Sequence, residues 1–212
     1  MIEKKQSYST TLYYVHDPMC SWCWAFRPTW RKIAESLPAN LSVQLILGGL
    51  APDTQEPMPE ALQMQIRSIW KTIQAQVPGT AFNFNFWDAC RPRRSTYPAC
   101  RAVIAATRQS PEYEDAMILA IQQAYYLEAR NPSDNATLIE LAVDLGLNAT
   151  QFARELDADE THDALLTQIA FGRQIGARGF PSLILAYNSS RRLLRIDYNN
   201  PARIVQQIID NG

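Results

Sequence analysis

The pattern of apolar and polar positions divides the chain into three stretches. Residues 9–16, Ser-Thr-Thr-Leu-Tyr-Tyr-Val-His, are rich in β-branched and aromatic types and read as a buried strand. Asp17-Pro18 marks a turn. A helix is expected from near Cys20 to about Ser36, with Pro38 just past its end. Pro28 falls inside it, where it removes one backbone hydrogen bond and is expected to kink the helix. Residues 41–47, Leu-Ser-Val-Gln-Leu-Ile-Leu, alternate and then turn continuously apolar, as a second strand ended by Gly48-Gly49. Strand, crossover helix and strand call for a right-handed parallel pair.

Between about 53 and 157 the period becomes helical. Leu62, Ile66, Ile69, Ile73 and Val77 share one face, as do Leu138, Leu141, Ala142 and Leu145. Pro111 suits a first helical turn before Met117, Ile121 and Ala124, and Asp134 suits the cap of the helix that holds Leu138. Four or five helices are expected, with one irregular loop over 79–94. A helix over about 160–175 then leads to a strand from Ser182 to Tyr187, a turn at Asn188-Ser189-Ser190 and a strand from Arg191 to Ile196. Pro201 opens a last helix, with Ile204, Val205, Ile208 and Ile209 on its apolar face.

This layout predicts an α/β fold in which one domain, residues 9–52 and 158–212, is interrupted by an all-helical domain, residues 53–157. A length of 212 residues and 47 % hydrophobic residues allow a core without disulfide staples. The formal net charge of −1, without long runs of one sign, argues against nucleic acid or an anionic membrane as main partner. The start, Met1 to Ser7, lacks a secretory apolar core, and no stretch approaches the roughly 18 apolar residues of a span. A cytoplasmic protein is the expectation.

The sharpest chemical feature is Cys20-Ser21-Trp22-Cys23, placed after a strand and at a helix start. A thiolate there faces free N–H groups and the positive end of the helix dipole, which stabilise its charge. Two intervening residues let the sulfurs alternate between dithiol and disulfide. Cys20 is expected to be the exposed attacking thiol, and Cys23, one turn in, the shielded resolving thiol. A zinc site would need a second ligand pair. Cys90, Cys100, His16 and His162 supply neither a second Cys-x-x-Cys nor a closely spaced His pair. Gly179-Phe180-Pro181, before a strand, adds a candidate cis peptide.

Asp17-Pro18-Met19-Cys20-Ser21-Trp22-Cys23-Trp24, the internal Pro28, and Gly176-Ala177-Arg178-Gly179-Phe180-Pro181-Ser182 together resemble the DsbA family of thioredoxin-like oxidoreductases, and within it the FrnE-like branch. The resemblance covers most of the chain, since that family also carries a helical insertion in its thioredoxin-like domain. It implies a nucleophile at Cys20, a resolving thiol at Cys23 and a cis-proline at Pro181. It also implies exchange with protein or small-molecule disulfides and dithiols, with no bound cofactor and with glutathione or another thiol as electron donor. The Ser-Trp pair departs from the Pro-His of the strongly oxidising members, so their potential does not carry over. Glutathione-using relatives, the kappa-class transferases and 2-hydroxychromene-2-carboxylate isomerases, share the helical insertion but typically place serine where Cys20 stands. A third possibility is a helical binding module whose redox pair is vestigial.

Several weaker signals remain open. Trp22 and Phe180 are candidate substrate contacts, whereas Trp24 and Trp30 read as core. Cys90 and Cys100 could pair across the loop or stay independent thiols. Arg91, Arg93 and Arg94 could be solvated surface or an anion site, such as one for a glutathione carboxylate. His16 or Asp17 could tune Cys20. Phe82, Phe84, Phe86 and Trp87 alternate with Asn83 and Asn85 and could line a groove beside Cys20, or form a seam against the helices.

Overall fold

The computed structural model describes residues 10–188 and 190–211. In chain order its elements are β1 (Thr11–His16), α1 (Ser21–Glu35), β2 (Ser42–Leu47), α2 (Glu60–Gln76), α3 (Phe86–Ala89) and α4 (Tyr97–Gln109). Then come α5 (Tyr113–Tyr126), α6 (Asn135–Asp144), α7 (Ala149–Leu156), α8 (Asp159–Gln174), β3 (Ser182–Tyr187), β4 (Ser190–Leu194) and α9 (Pro201–Ile209). The four strands form one sheet in the order β2-β1-β3-β4. β1 runs parallel to β2, with Tyr14 opposite Leu45, and antiparallel to β3, with Tyr14 opposite Leu183.

The two-residue period of β1 sends its side chains to two layers. Leu12 and Tyr14 join Leu183 and Leu185 against Phe26, Trp30 and Ile33 of α1 and Ile204 and Ile208 of α9. Val15 turns the other way, to Ile46, Ile184 and Ile175, with Phe171 of α8 packed alongside. α8 is also pinned to β2, because the backbone N–H of Leu47 donates to Gln168 Oε1 at 2.8 Å. Helices therefore cover both faces of a small mixed α/β sheet, in the thioredoxin-like manner.

Six helices, α2 to α7, fall between β2 and α8. The expected count is exceeded because the 79–94 loop contains the short helix α3. Trp70 organises this region. It is fully buried, and its ring lies within 4.7–6.2 Å, centroid to centroid, of Phe82, Phe84, Phe86, Trp87, Tyr125 and Tyr126. Of the two readings left open, the alternating aromatics thus form the seam, around Trp70, and none of them lines the cleft that holds Cys20. Trp70 and Tyr125 are the rings of this cluster that reach the cleft beside Cys20.

Other local expectations shift for identifiable reasons. Asp134 stands at the cap position of α6, but its carboxylate is taken by Arg93 at 2.6 Å and caps nothing. Ile209 is exposed, because Ile204 and Ile208 alone complete the buried stripe of α9. β4 ends at Leu194 rather than Ile196. Ser9 and Ser189, which the strand and turn expectations included, lie outside the described residues.

Candidate functional site

β1 ends in a turn whose sole buried carboxylate holds it in place. Asp17 is fully buried. Its oxygens accept the backbone N–H of Met19 at 2.8 Å, the backbone N–H of Leu50 at 2.7 Å and the Thr96 hydroxyl at 2.7 Å. The Cys100 thiol also donates to it, at 3.5 Å. Burial pushes the Asp17 carboxyl above its ordinary range, and the bonds from Leu50, Thr96 and Met19 pull it back. One side chain thereby ties the Cys20 turn, the loop after β2 and the start of α4 together. Its contacts are with these neighbouring groups, and the sequence offered no sign of the partners from α4.

Cys20 is the N-cap residue of α1, with extended backbone and no side-chain cap bond, so its sulfur is free of a capping role. It is only 6 % exposed, less open than expected, yet it lines a cleft of about 480 Å³. Its Sγ lies 3.6 Å from the carbonyl oxygen of Phe180. The Phe180-Pro181 peptide is cis. Gly48 allows this approach, since a Cβ there would sit 1.9 Å from the Phe180 ring. Cys23 is 1 % exposed, and burial pushes its thiol well above the ordinary value, with the neighbouring Cys20 adding to the shift. All four cysteines are free thiols. Cys100 faces Asp17, whereas Cys90 donates to the Ala129 carbonyl at 3.0 Å, so each has its own partner.

Trp22 is half-buried on the cleft wall, with its ring 5.1 Å from that of Tyr198. Trp24 stacks on Tyr126 and donates to the Ala81 carbonyl at 3.0 Å, and Trp30 is buried, so both are packing residues. The arginine triplet is split. Arg93 is consumed by Asp134 and the Ser133 carbonyl, Arg91 is exposed, and Arg94 alone reaches the cleft. Sequence reasoning missed Trp70, Tyr125 and Arg173, which also line it. His16 is buried beside Tyr14, with Nε2 lacking a partner. Burial, helped by Arg27, lowers its pKa to about 3, so it is a neutral imidazole. Among the described residues no three His, Cys, Asp or Glu side chains gather as a metal site.

A sheet flanked by helices, with a Cys-x-x-Cys at the first helix start and a cis-proline loop against it, can be compared with known proteins. The thioredoxin family model matches residues 13–207. The chain belongs to this family. A candidate protein disulfide isomerase from Nitrosomonas europaea is 31 % identical, with a TM-score of 0.81 over 95 % of this chain and 96 % of that one. The cytosolic disulfide reductase DsbM from Pseudomonas aeruginosa is 26 % identical, with a TM-score of 0.71 over 94 % of both chains. These neighbours mark this member as a DsbA-like thioredoxin-fold protein. A 2-hydroxychromene-2-carboxylate isomerase, 11 % identical with a TM-score of 0.63, shares the fold. The ClpXP adapter protein SpxH of Bacillus subtilis is 21 % identical over 81 % of this chain, which spans only 56 % of that relative. No helix among the described residues is long and apolar enough to cross a membrane.

Proposed function

We propose that this family member is a thiol–disulfide oxidoreductase acting through Cys20 and Cys23. The observation that carries the reading is the position of Cys20 on the cleft wall at the start of α1, with its sulfur against the Phe180 carbonyl and Cys23 buried behind it. Cys20 as thiolate attacks one sulfur of a substrate disulfide. A mixed disulfide forms and the other substrate sulfur leaves as a thiolate that takes up a proton. Cys23 then gives up its proton and attacks Cys20, releasing the second substrate thiol and leaving a Cys20–Cys23 disulfide. The reverse sequence oxidises a dithiol. The backbone around Pro181 offers an edge on which an extended substrate can pair, and Trp22 and Phe180 are its side-chain contacts.

A thiol such as glutathione fits as electron donor, in keeping with the similar DsbM, whose structure has been solved with GSH. The Cys-Ser-Trp-Cys motif supports the FrnE-like branch, with residues 53–157 as its insertion domain. The likeness to a cytosolic reductase favours the cytoplasm. A glutathione-dependent isomerase is disfavoured, because Cys20 stands where those enzymes typically have serine.

Reduction of insulin by a thiol donor tests the reading. Cys20→Ser should abolish it, and Cys23→Ser should accumulate a mixed disulfide visible by intact-protein mass. Retained reduction by Cys20→Ser would refute the assignment. Activity seen only with glutathione and an aromatic electrophile would move the function to the isomerase and transferase class.

A further inference from the structure

The cleft beside Cys20 carries charge of one sign. Arg94 enters it from the loop before α4, Arg173 from the last turn of α8 and Arg178 from the loop before Pro181, while no Asp or Glu lines it. Elsewhere the arginines around this part of the molecule are matched: Arg27 by Asp115, Arg93 by Asp134 and Arg101 by Asp53. Arg94, Arg173 and Arg178 form no ion pair among the described residues. The buried carboxylate under the motif, Asp17, turns its oxygens to Met19, Leu50 and Thr96. The chain as a whole nets −1, so this concentration of positive charge belongs to the cleft and not to the protein at large.

We propose that these three arginines make the cleft selective for small thiols and disulfides that carry carboxylates, glutathione being of this chemistry. The proposal rests on the exchange reaction above and adds the substrate class to it. Arg94 lies close enough to Tyr125 to act on it electrostatically, and Arg173 and Arg178 come from α8 and the loop before Phe180, so three separate segments bring cations to the cleft that holds Cys20. A cleft of about 480 Å³ has the size of a small-molecule site. Guanidinium groups suit carboxylates because their planar fork donates two parallel hydrogen bonds. The chemical step is unchanged. Cys20 thiolate and a disulfide give a mixed disulfide and one thiolate, and Cys23 then releases the second thiol.

The test is single-turnover oxidation of the reduced protein by three small disulfides of similar size. Dithiodipropionate is doubly negative, hydroxyethyl disulfide neutral and cystamine doubly positive. Each rate is divided by the rate of the same disulfide with dithiothreitol. At low ionic strength the doubly negative disulfide should react roughly tenfold or more faster than the doubly positive one. The ratio should shrink several-fold near 0.5 M salt, as screening shortens. Arg94→Gln, Arg173→Gln and Arg178→Gln together should bring the ratio close to one. Arg94→Glu with Arg178→Glu should reverse the order, which a merely damaged fold would not do. Equal normalised rates for all three disulfides with the unaltered protein would overturn the charge selection, as would a triple variant that keeps the original ratio. Absence of exchange with every one of the three would instead overturn the exchange reading beneath it.

Discussion

Replacing His16 by Phe should make the protein less sensitive to acid. The imidazole is 2 % exposed, its Nε2 has no partner, and burial with the nearby Arg27 lowers its pKa from 6.5 to about 3. Between those values the unfolded chain holds a proton on His16 that the folded chain refuses. The unfolded state therefore gains as pH falls through this window, and the stability associated with neutral His16 is complete above 6.5 and is lost below it. One pKa unit corresponds to about 1.4 kcal/mol, so near pH 4.5 the loss is about 3 kcal/mol. Phenylalanine cannot take up that proton. It can keep the ring contact with Tyr14, now 5.0 Å between centroids, and a void of about 10 Å³ beside it gives some room. Urea unfolding followed by tryptophan fluorescence, near pH 7.5 and near pH 4.5, measures the effect. Acidification should cost the unaltered protein about 3 kcal/mol more than the variant, or about 1 M in urea midpoint. Equal losses in the two proteins would refute the argument, because carboxylate protonation elsewhere acts on both alike.

Asp17→Ala leaves two backbone N–H groups and the Thr96 hydroxyl without their acceptor. It should cost about 3–5 kcal/mol in chemical denaturation, and a change under about 1 kcal/mol would contradict the tie described here. Gly48→Ala would push a methyl group into the Phe180 ring. It should slow disulfide exchange at Cys20 by about tenfold or more in stopped-flow measurements, because the ring sits on the loop whose carbonyl meets Cys20. Trp70→Ala should destabilise by about 3–5 kcal/mol in the same urea assay, since it removes the hub of a buried aromatic cluster. Alkylation with peptide mapping should label Cys20, which lines the cleft at the start of α1, and half-buried Cys90 in the native protein, and Cys23 and Cys100 only on unfolding. Native labelling of Cys100 would contradict its burial beside Asp17.

The thioredoxin half was legible because its strands and helices follow simple periods, and because a Cys-x-x-Cys between strand and helix has few structural alternatives. What escaped the sequence is mostly long-range pairing. Arg93 and Arg94 are neighbours of the same type, yet Asp134, some forty residues away, claims the first and leaves the second to the cleft. No local pattern distinguishes them. Trp70 sits on the same helix face as Ile66 and Ile73, where an aromatic looks like any other core residue until six rings converge on it. The 79–94 segment lacked helical period because its rings face several elements at once. Its alternation invited a two-sided reading that the short turn of α3 breaks. The exposure expected for Cys20 failed for a related reason. The residues that cover it, around Phe180, come from the far end of the chain.

That last separation has a consequence for how the protein is made. The central strand pair joins residues 11–16 to residues 182–187, and the sulfur of Cys20 meets a carbonyl 160 positions later. A ribosome adding about 5–20 residues per second needs roughly 10–30 s to cover that interval. For most of it, the two thiols have left the exit tunnel while the loop that will cover them has not yet been synthesised. The nascent chain thus carries a bare dithiol next to a strand, β1, that still lacks its β3 partner, in contact with whatever oxidants and chaperones surround it. Once the Phe180-Pro181 loop arrives and β3 closes the sheet, the Phe180 carbonyl meets Cys20 and Cys23 is buried. The order of translation thereby leaves the thiols open to chemical attack before the fold that shields them is complete.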